Sequence, residues 1–228
     1  KEFPKLSYKK AAFSEKGLDH YTVILDEKII FRFPKSVSHT KLLDEINLLR
    51  YLNKHISISI PDCKYVASDK SFLGYTLLSG VELTPKRFER LGPRQKNHII
   101  EQMARFVSEL HPTPQVICEK FNIPIQYVQK ELDDLIQKTE ENVIPKLSEG
   151  EKRIVAEYFS QLKTTVEDTC DKVLIHGDLR ESNILWDEKN ELVKIIDFSD
   201  VLFGDPATEF SRLLISGEGF LKQILDSY

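Results

Sequence analysis

Residues 173–186 read VLIHGDLRESNILW. Both ends are apolar and have strand character, while a His, two acids, an Arg and an Asn crowd the middle. Asp178 and Asn183 are separated by four residues, and a second aspartate, Asp197, follows within IIDFSD. Oxygen-bearing side chains of these types suit two tasks. A hard divalent cation such as Mg²⁺ takes oxygen ligands and bridges a carboxylate to a substrate phosphate. A carboxylate beside a hydroxyl accepts its proton while the oxygen attacks phosphorus.

The elements around these residues must bring them together. Strands at 183–187 and 191–196, with a turn at 188–190 centred on Lys189, make a hairpin that pairs Asn183 with Ile195. Asp197 then lies one step beyond the open end, and the loop carrying Asp178 leads into that same end. D-x4-N followed by a later D, on loop, hairpin and hairpin end, is the arrangement of a phosphoryl-transfer loop and its metal-binding aspartate. A capped polar turn would explain D-x4-N alone, but not IHG before it and IIDFSD after it.

The first part of the chain bears on the same chemistry. Residues 21–25 and 29–33 are β-branched and aromatic, joined by the polar turn 26–28, and read as a hairpin. Residues 38–55 read as a helix with Leu42, Ile46, Leu49 and Leu52 as its buried stripe. On a helical wheel Glu45 falls inside that stripe, whereas Asp44 faces away. A buried carboxylate needs a partner, and Arg32, sharing a strand face with Ile30, is the one at hand. SIPDCKYVAS and FLGYTLLSG read as further strands. From Thr84 onward the period becomes helical, over 93–111, 124–143, 149–168 and 206–215, interrupted by a strand at 173–176 and the hairpin. These elements predict an α+β chain of two lobes, a small β-rich lobe over 1–80 and a larger helical lobe over 81–228, joined near Ser79-Gly80.

Bulk properties narrow the setting. The 228 residues carry a formal net charge of -4, so no general affinity for nucleic acid is implied. Cys63, Cys118 and Cys170 are scattered and form no CxxC pair, which speaks against a disulfide framework or zinc site and for a reducing cytoplasm. No apolar run has the length of a membrane span, and KEFPKLSYKK has no apolar signal core.

HGDLRESNIL, IIDFSD, GDP, and FRFPK with a following DEINLL together resemble the aminoglycoside phosphotransferase and choline-kinase-like family. IIFRFPKS, FLGYTLLSGVELTP and MARFVSELH are most similar to its aminoglycoside 2''-phosphotransferase subgroup. The likeness runs from about Phe13 to Tyr228. It implies a two-lobed, protein-kinase-like fold acting as a monomer, and Mg²⁺-dependent transfer of a nucleotide γ-phosphate to an alcohol of a small molecule. By motif, Asp178 is the catalytic base and Asn183 and Asp197 bind Mg²⁺. Arg32 stands where the family often has Lys, with Glu45 as its partner. Ser14 to His20, including Gly17, matches the loop over the phosphates. Residues 75–79 match the strand and linker that hold the base, which places Tyr75, Leu77 and Ser79 against the nucleotide. Tyr75 is bulky, as in subgroup members that accept GTP, so the donor is GTP or ATP with a lean to GTP. Arg180, two residues past the base, is placed to reach the γ-phosphate.

The chain also departs from the pattern. Arg32 replaces Lys, and the phosphate loop has a single glycine. The subgroup carries a further helical region after the point where this chain stops, and LLISGEGF has only Glu218 where the subgroup has an acidic cluster. A cationic aminoglycoside would be held by carboxylates. Residues 119–172 contain 12 acidic and 8 basic residues, and Asp200 and Glu218 are the carboxylates expected to face the substrate, Asp200 best placed. A kinase of another small alcohol (a macrolide, sugar or amino alcohol) and a non-catalytic nucleotide-binding module remain the alternatives. His176 and His111 read as scaffold, Trp186 as core, Asp205 as a helix cap and Glu181 as surface.

Overall fold

The computed structural model describes residues 2–15, 20–35, 39–165, 171–214 and 217–228. The first five strands are β1 (Ala11–Ser14), β2 (His20–Leu25), β3 (Ile29–Pro34), β4 (Tyr65–Val66) and β5 (Leu73–Thr76), with helix α1 (His39–Leu52) inserted after β3. They form one antiparallel sheet in the order β1-β2-β3-β5-β4. Asp26 and Glu27 in the β2–β3 turn adopt left-handed backbone, as tight hairpins require. Phe31, Phe33, Tyr65 and Phe72 form an aromatic cluster, which Phe3 joins from the N-terminal segment. Arg32 points the other way, toward α1.

Next come β6 (Val81–Glu82), α2 (Pro85–Arg90), α3 (Pro93–Leu110), α4 (Gln115–Lys120), α5 (Val128–Asn142) and α6 (Glu149–Thr165). Strand β7 (Val173–Ile175) leads into the polar loop, and β8 (Ile184–Asp187) and β9 (Leu192–Ile195) follow as the hairpin. The chain then runs through β10 (Leu202–Gly204), α7 (Pro206–Leu213) and α8 (Glu218–Ser227). β6 pairs with β8, which joins Val81 and Glu82 to the hairpin. Helix α3 is its spine. Ile99, Met103, Phe106, Val107 and Leu110 are fully buried in one apolar cluster with α1, β8 and β9. Gln102, also buried, accepts from Val193 N and donates to Glu191 O, locking α3 to the hairpin edge.

Several expectations need correction. The hairpin register is shifted by one residue, because Ile184, not Asn183, pairs with Ile195. The turn is four residues long, with Glu191 in left-handed backbone. Asn183 is instead level with Ile196, whose N–H donates to the Asn183 carbonyl. Of SIPDCKYVAS only Tyr65 and Val66 are strand. β1, β6, β10, α2, α4 and α8 lie where no element was expected. The spacing of Ile154, Tyr158, Leu162 and Val166 predicts one buried stripe over 149–168, but on α6 Ile154 is 67% and Tyr158 58% exposed. Val155 and Phe159 face α5 instead, across a groove with Ile136 and Ile144. Val166 and Cys170 lie outside the described residues.

Candidate active site

Two short ladders hold the site. β7, which leads into Asp178, pairs antiparallel with β10, which follows Asp197. β8 and β9 bring Asn183 and Asp197 to one hairpin end. Within the loop, Arg180 N donates to Asp178 O and Asn183 N to Arg180 O, closing consecutive tight turns. Gly177 makes the first bend possible. Its φ is 78°, and a Cβ there would run into the Asp200 carbonyl oxygen.

Asp178 is oriented through one oxygen. Its Oδ2 accepts from Asn183 Nδ2 at 2.9 Å and from Arg180 Nε at 3.0 Å. Among the described residues Oδ1 meets no protein donor, so it is the oxygen left for an incoming hydroxyl. Asn183 Nδ2 also donates to Asp178 O at 2.8 Å. With the amide nitrogen committed to two acceptors, the amide oxygen Oδ1 is the end left for a cation. Asp197 has φ 66°, a strained conformation for a non-glycine residue that the surrounding structure must hold. Its Oδ1 accepts from Ser199 Oγ and Arg32 Nη2, at 2.9 and 3.2 Å. Its Oδ2 is unbonded among the described residues. Two oxygen ligands with positions left for phosphate and water suit Mg²⁺, so the residues present fit that ion. No group of three or more His, Cys, Asp or Glu suited to holding a metal occurs among the described residues.

Arg32 ties the lobes together. Nη1 donates to Glu45 Oε1 at 2.8 Å, and both side chains are nearly enclosed. Burial works against the Arg32 charge, but Glu45, Tyr75 and Asp197 outweigh it and hold the guanidinium firmly protonated. Nη2 reaches both Asp197 and His20 Nδ1, the latter at 3.2 Å. Since Nη2 can only donate, His20 Nδ1 accepts. His20, expected only as the last residue of the phosphate loop, is instead the first of β2, where a lone histidine carries no signal of its partner. Tyr75 is buried beside this network, and burial pushes its phenol up to about 12.

The scaffold under the loop is equally specific. His176 is fully buried. Nδ1 accepts from Asp178 N at 3.3 Å, so Nε2 carries the proton and donates to Ile196 O at 3.0 Å. Burial lowers its pKa to about 4, keeping it neutral. Glu209 on α7 reads in the sequence as one more acid after Asp197, alongside Asp200, Asp205 and Glu218. It is instead completely buried, with Oε2 accepting from Gly177 N at 3.0 Å and Oε1 unpartnered. Burial raises its carboxyl to about 7. Asp205 caps α7, accepting from Ala207 N as expected. Glu181 was expected at the surface, but one of its carboxylate oxygens is enclosed without a partner.

The remaining expected residues divide. Ser14 ends β1, at the entrance to the expected phosphate loop, and Gly17 lies outside the described residues. Leu77 N is already donated to Lys28 O at 2.7 Å, so it is not available to a base. Among the described residues the amides of Leu78, Ser79 and Gly80 meet no protein acceptor. Ser79 Oγ is engaged within the protein, by Asp187 and Lys194. Asp200 is exposed beside Gly177. Glu218 sits on the first turn of α8, which packs on α3 and α7, and no described contact joins it to the Asp178 loop.

A β-rich lobe and a helical lobe that meet across an Arg–Glu–Asp relay and a D-x4-N loop define a protein-kinase-like phosphotransferase. The chain belongs to the phosphotransferase enzyme family APH, whose sequence model matches residues 12–228. Among solved structures, the GDP and kanamycin complex of an APH(2") enzyme has a TM-score of 0.88 at 28% identity, covering 99% of this chain and 79% of that one. The GDP complex of wild-type aminoglycoside 2'-phosphotransferase-IIIa has a TM-score of 0.87 at 28% identity, covering 99% and 78%. A macrolide 2'-phosphotransferase from Brachybacterium faecium, at 17% identity and TM-score 0.68 over 96% and 76%, shares the fold.

Proposed function

We propose that this enzyme transfers the γ-phosphate of GTP or ATP to a hydroxyl of an aminoglycoside, and so inactivates the antibiotic. The observation that carries the reading is the oriented Asp178. One carboxylate oxygen is fixed by Asn183 and Arg180, and the other is left to take a proton from an alcohol. The solved structures at 28% identity were obtained with GDP, one of them also with kanamycin, which favours an aminoglycoside over other alcohols. Asp200, exposed next to the bend before Asp178, is the carboxylate placed to meet the cationic acceptor. Glu218 belongs to a more distant part of the substrate surface.

Asn183 Oδ1 and Asp197 would hold Mg²⁺, which when bound would screen the charge of the donor phosphates. Arg32 neutralises phosphate charge from the N-terminal lobe, held in place by Glu45 and His20. By resemblance, Ser14 and Gly17 belong to the loop over the phosphates. Tyr75 and the linker up to Ser79 take the base, through the Leu78 amide rather than that of Leu77. Arg180 orients Asp178 and lies beside the transferring phosphate. Most of the rate enhancement comes from positioning and fixed charge rather than covalent chemistry. The lobes divide at residue 80, residues 1–80 serving the nucleotide and 81–228 the chemistry and the acceptor. The enzyme works as a monomer in the cytoplasm; Cys63 and Cys118 are buried free thiols. No helix among the described residues is long and apolar enough to cross a membrane.

The test is nucleotide turnover by the purified protein with Mg²⁺, using ATP and GTP separately, each with and without kanamycin or gentamicin. Aminoglycoside-stimulated turnover is expected, faster with GTP. Basal hydrolysis without stimulation would move the acceptor to another alcohol. Absence of nucleotide binding would overturn the reading.

A further inference from the structure

The linker between the lobes is fastened by a cluster in which the chemistry described above takes no part. Asp187, at the end of β8, and Lys194, on β9, form an ion pair at 2.7 Å. Their side chains are only 8% and 11% exposed. Asp187 Oδ2 also accepts from Ser79 Oγ at 3.1 Å and from Asn190 Nδ2 at 2.9 Å. Lys194 Nζ donates to Ser79 Oγ at 2.7 Å. The Ser79 hydroxyl is therefore fixed in both roles, as acceptor from Lys194 and as donor to Asp187. These bonds, with that from Lys194 foremost, hold the Asp187 carboxyl well below the ordinary carboxylate range.

A buried ion pair contributes little net stability, because desolvating both charges offsets most of their attraction. This pair joins three separate segments, and what it does is fix their relative positions. Gly80 strengthens the attachment. Its φ is 145°, and a Cβ there would come within 3.0 Å of Leu185 Cβ and 3.1 Å of Trp186 O, so the linker runs directly against β8. On its other side Leu77 N is tied to Lys28 O in the β2–β3 turn. The linker is thus clamped on both sides of Leu78.

We propose that Lys194 and Asp187 are positioning residues for nucleotide recognition: through Ser79 they hold the linker backbone in the shape that receives the base. This rests on the reading of residues 75–79 as the base-holding linker. Pre-ordering a recognition segment raises affinity by removing the cost of ordering it on binding. The clamp therefore acts on affinity for the base and not on affinity for the phosphates, which are held by other residues.

The experiment compares equilibrium binding of Mg²⁺-GTP, Mg²⁺-ATP and Mg²⁺-tripolyphosphate to the full chain, for the native protein, Lys194→Met, Ser79→Ala and Ser79→Thr. Ser79 is on the surface, so its variants keep the test intact should Lys194→Met fail to fold. The expected result is a roughly tenfold loss of nucleoside triphosphate affinity in Lys194→Met and Ser79→Ala, with tripolyphosphate affinity unchanged and Ser79→Thr close to native. Equal loss for nucleotide and tripolyphosphate would reveal a general defect of the lobes and overturn the proposal. Unchanged nucleotide binding in a folded variant would also overturn it while leaving the linker reading standing. If the native protein bound tripolyphosphate as tightly as the nucleotides, the linker reading itself would fall, and the proposal with it.

Discussion

Asp178 and Arg32 do different work, and their substitutions should separate. Asp178→Ala removes the carboxylate proposed as the base but none of the Arg32 contacts. Turnover should fall by about 10²-fold or more, while Mg²⁺-nucleotide still binds; steady-state kinetics with equilibrium nucleotide binding reads both. A variant with native turnover would remove Asp178 from the role of base. Arg32→Met acts on stability as well. It leaves Glu45 as an unpaired carboxylate on the buried face of α1, a change that costs about 3–5 kcal/mol. Arg32→Lys keeps the charge but offers a point donor where the guanidinium fork reaches Glu45 through one nitrogen and Asp197 and His20 through the other. Chemical denaturation should therefore rank native above Lys above Met.

Elements decide where such residues end up. Gly177 lets the strand–loop junction bend, and Glu209 on α7 grips the amide at that bend. Gly177→Ala should destabilise by more than about 2 kcal/mol, from positive φ and the collision with Asp200. It should also lower turnover, because Asp178 moves with the bend; urea unfolding and kinetics on the same variant test this. The Arg32–Glu45 pair was readable from a helical wheel, since a carboxylate in an apolar stripe demands a cation. The hairpin register was not. Its turn length depends on Glu191 accepting left-handed backbone, for which a glutamate gives no sign. Glu209 escaped for a related reason, because an acid among other acids looks solvated until the tertiary structure shows it completely buried.

At the scale of the molecule, buried titratable groups set the response to acid. His176 and His111 are held neutral by burial, each lowered from 6.5 to about 4. Over that window the unfolded chain binds protons that the folded chain refuses, so stability falls as pH drops below 6.5. Glu209 runs the other way: its carboxyl is raised from 4.5 to about 7, so its stabilisation is present below 4.5 and lost as pH rises through 7. Each shift corresponds to about 3 kcal/mol. Two groups against one leave a net loss of about 3 kcal/mol on acidification from these residues. Melting temperatures between pH 8 and 4 should show that loss. Glu209→Gln should steepen it, because the opposing group is gone, and should gain on the native protein above pH 7. Identical pH profiles for the two proteins would mean that Glu209 titrates normally.

The sequence by itself determined the class of chemistry, the two-lobed α+β architecture and the pairing of Arg32 with Glu45. Those depend on local spacing: D-x4-N on a short loop, a helical stripe interrupted by one acid, and a switch from period 2 to period 3.6 near residue 84. Only the tertiary structure decided which groups were already spoken for. Leu77 N is consumed by Lys28, and the Ser79 hydroxyl by Lys194 and Asp187 more than a hundred positions away. Ile154 and Tyr158 are left in solvent on a helix that the pattern had turned inward. Periodicity states which residues share a face, but not what that face meets, and a hydrogen-bonding group reveals its use only when its partner is in place.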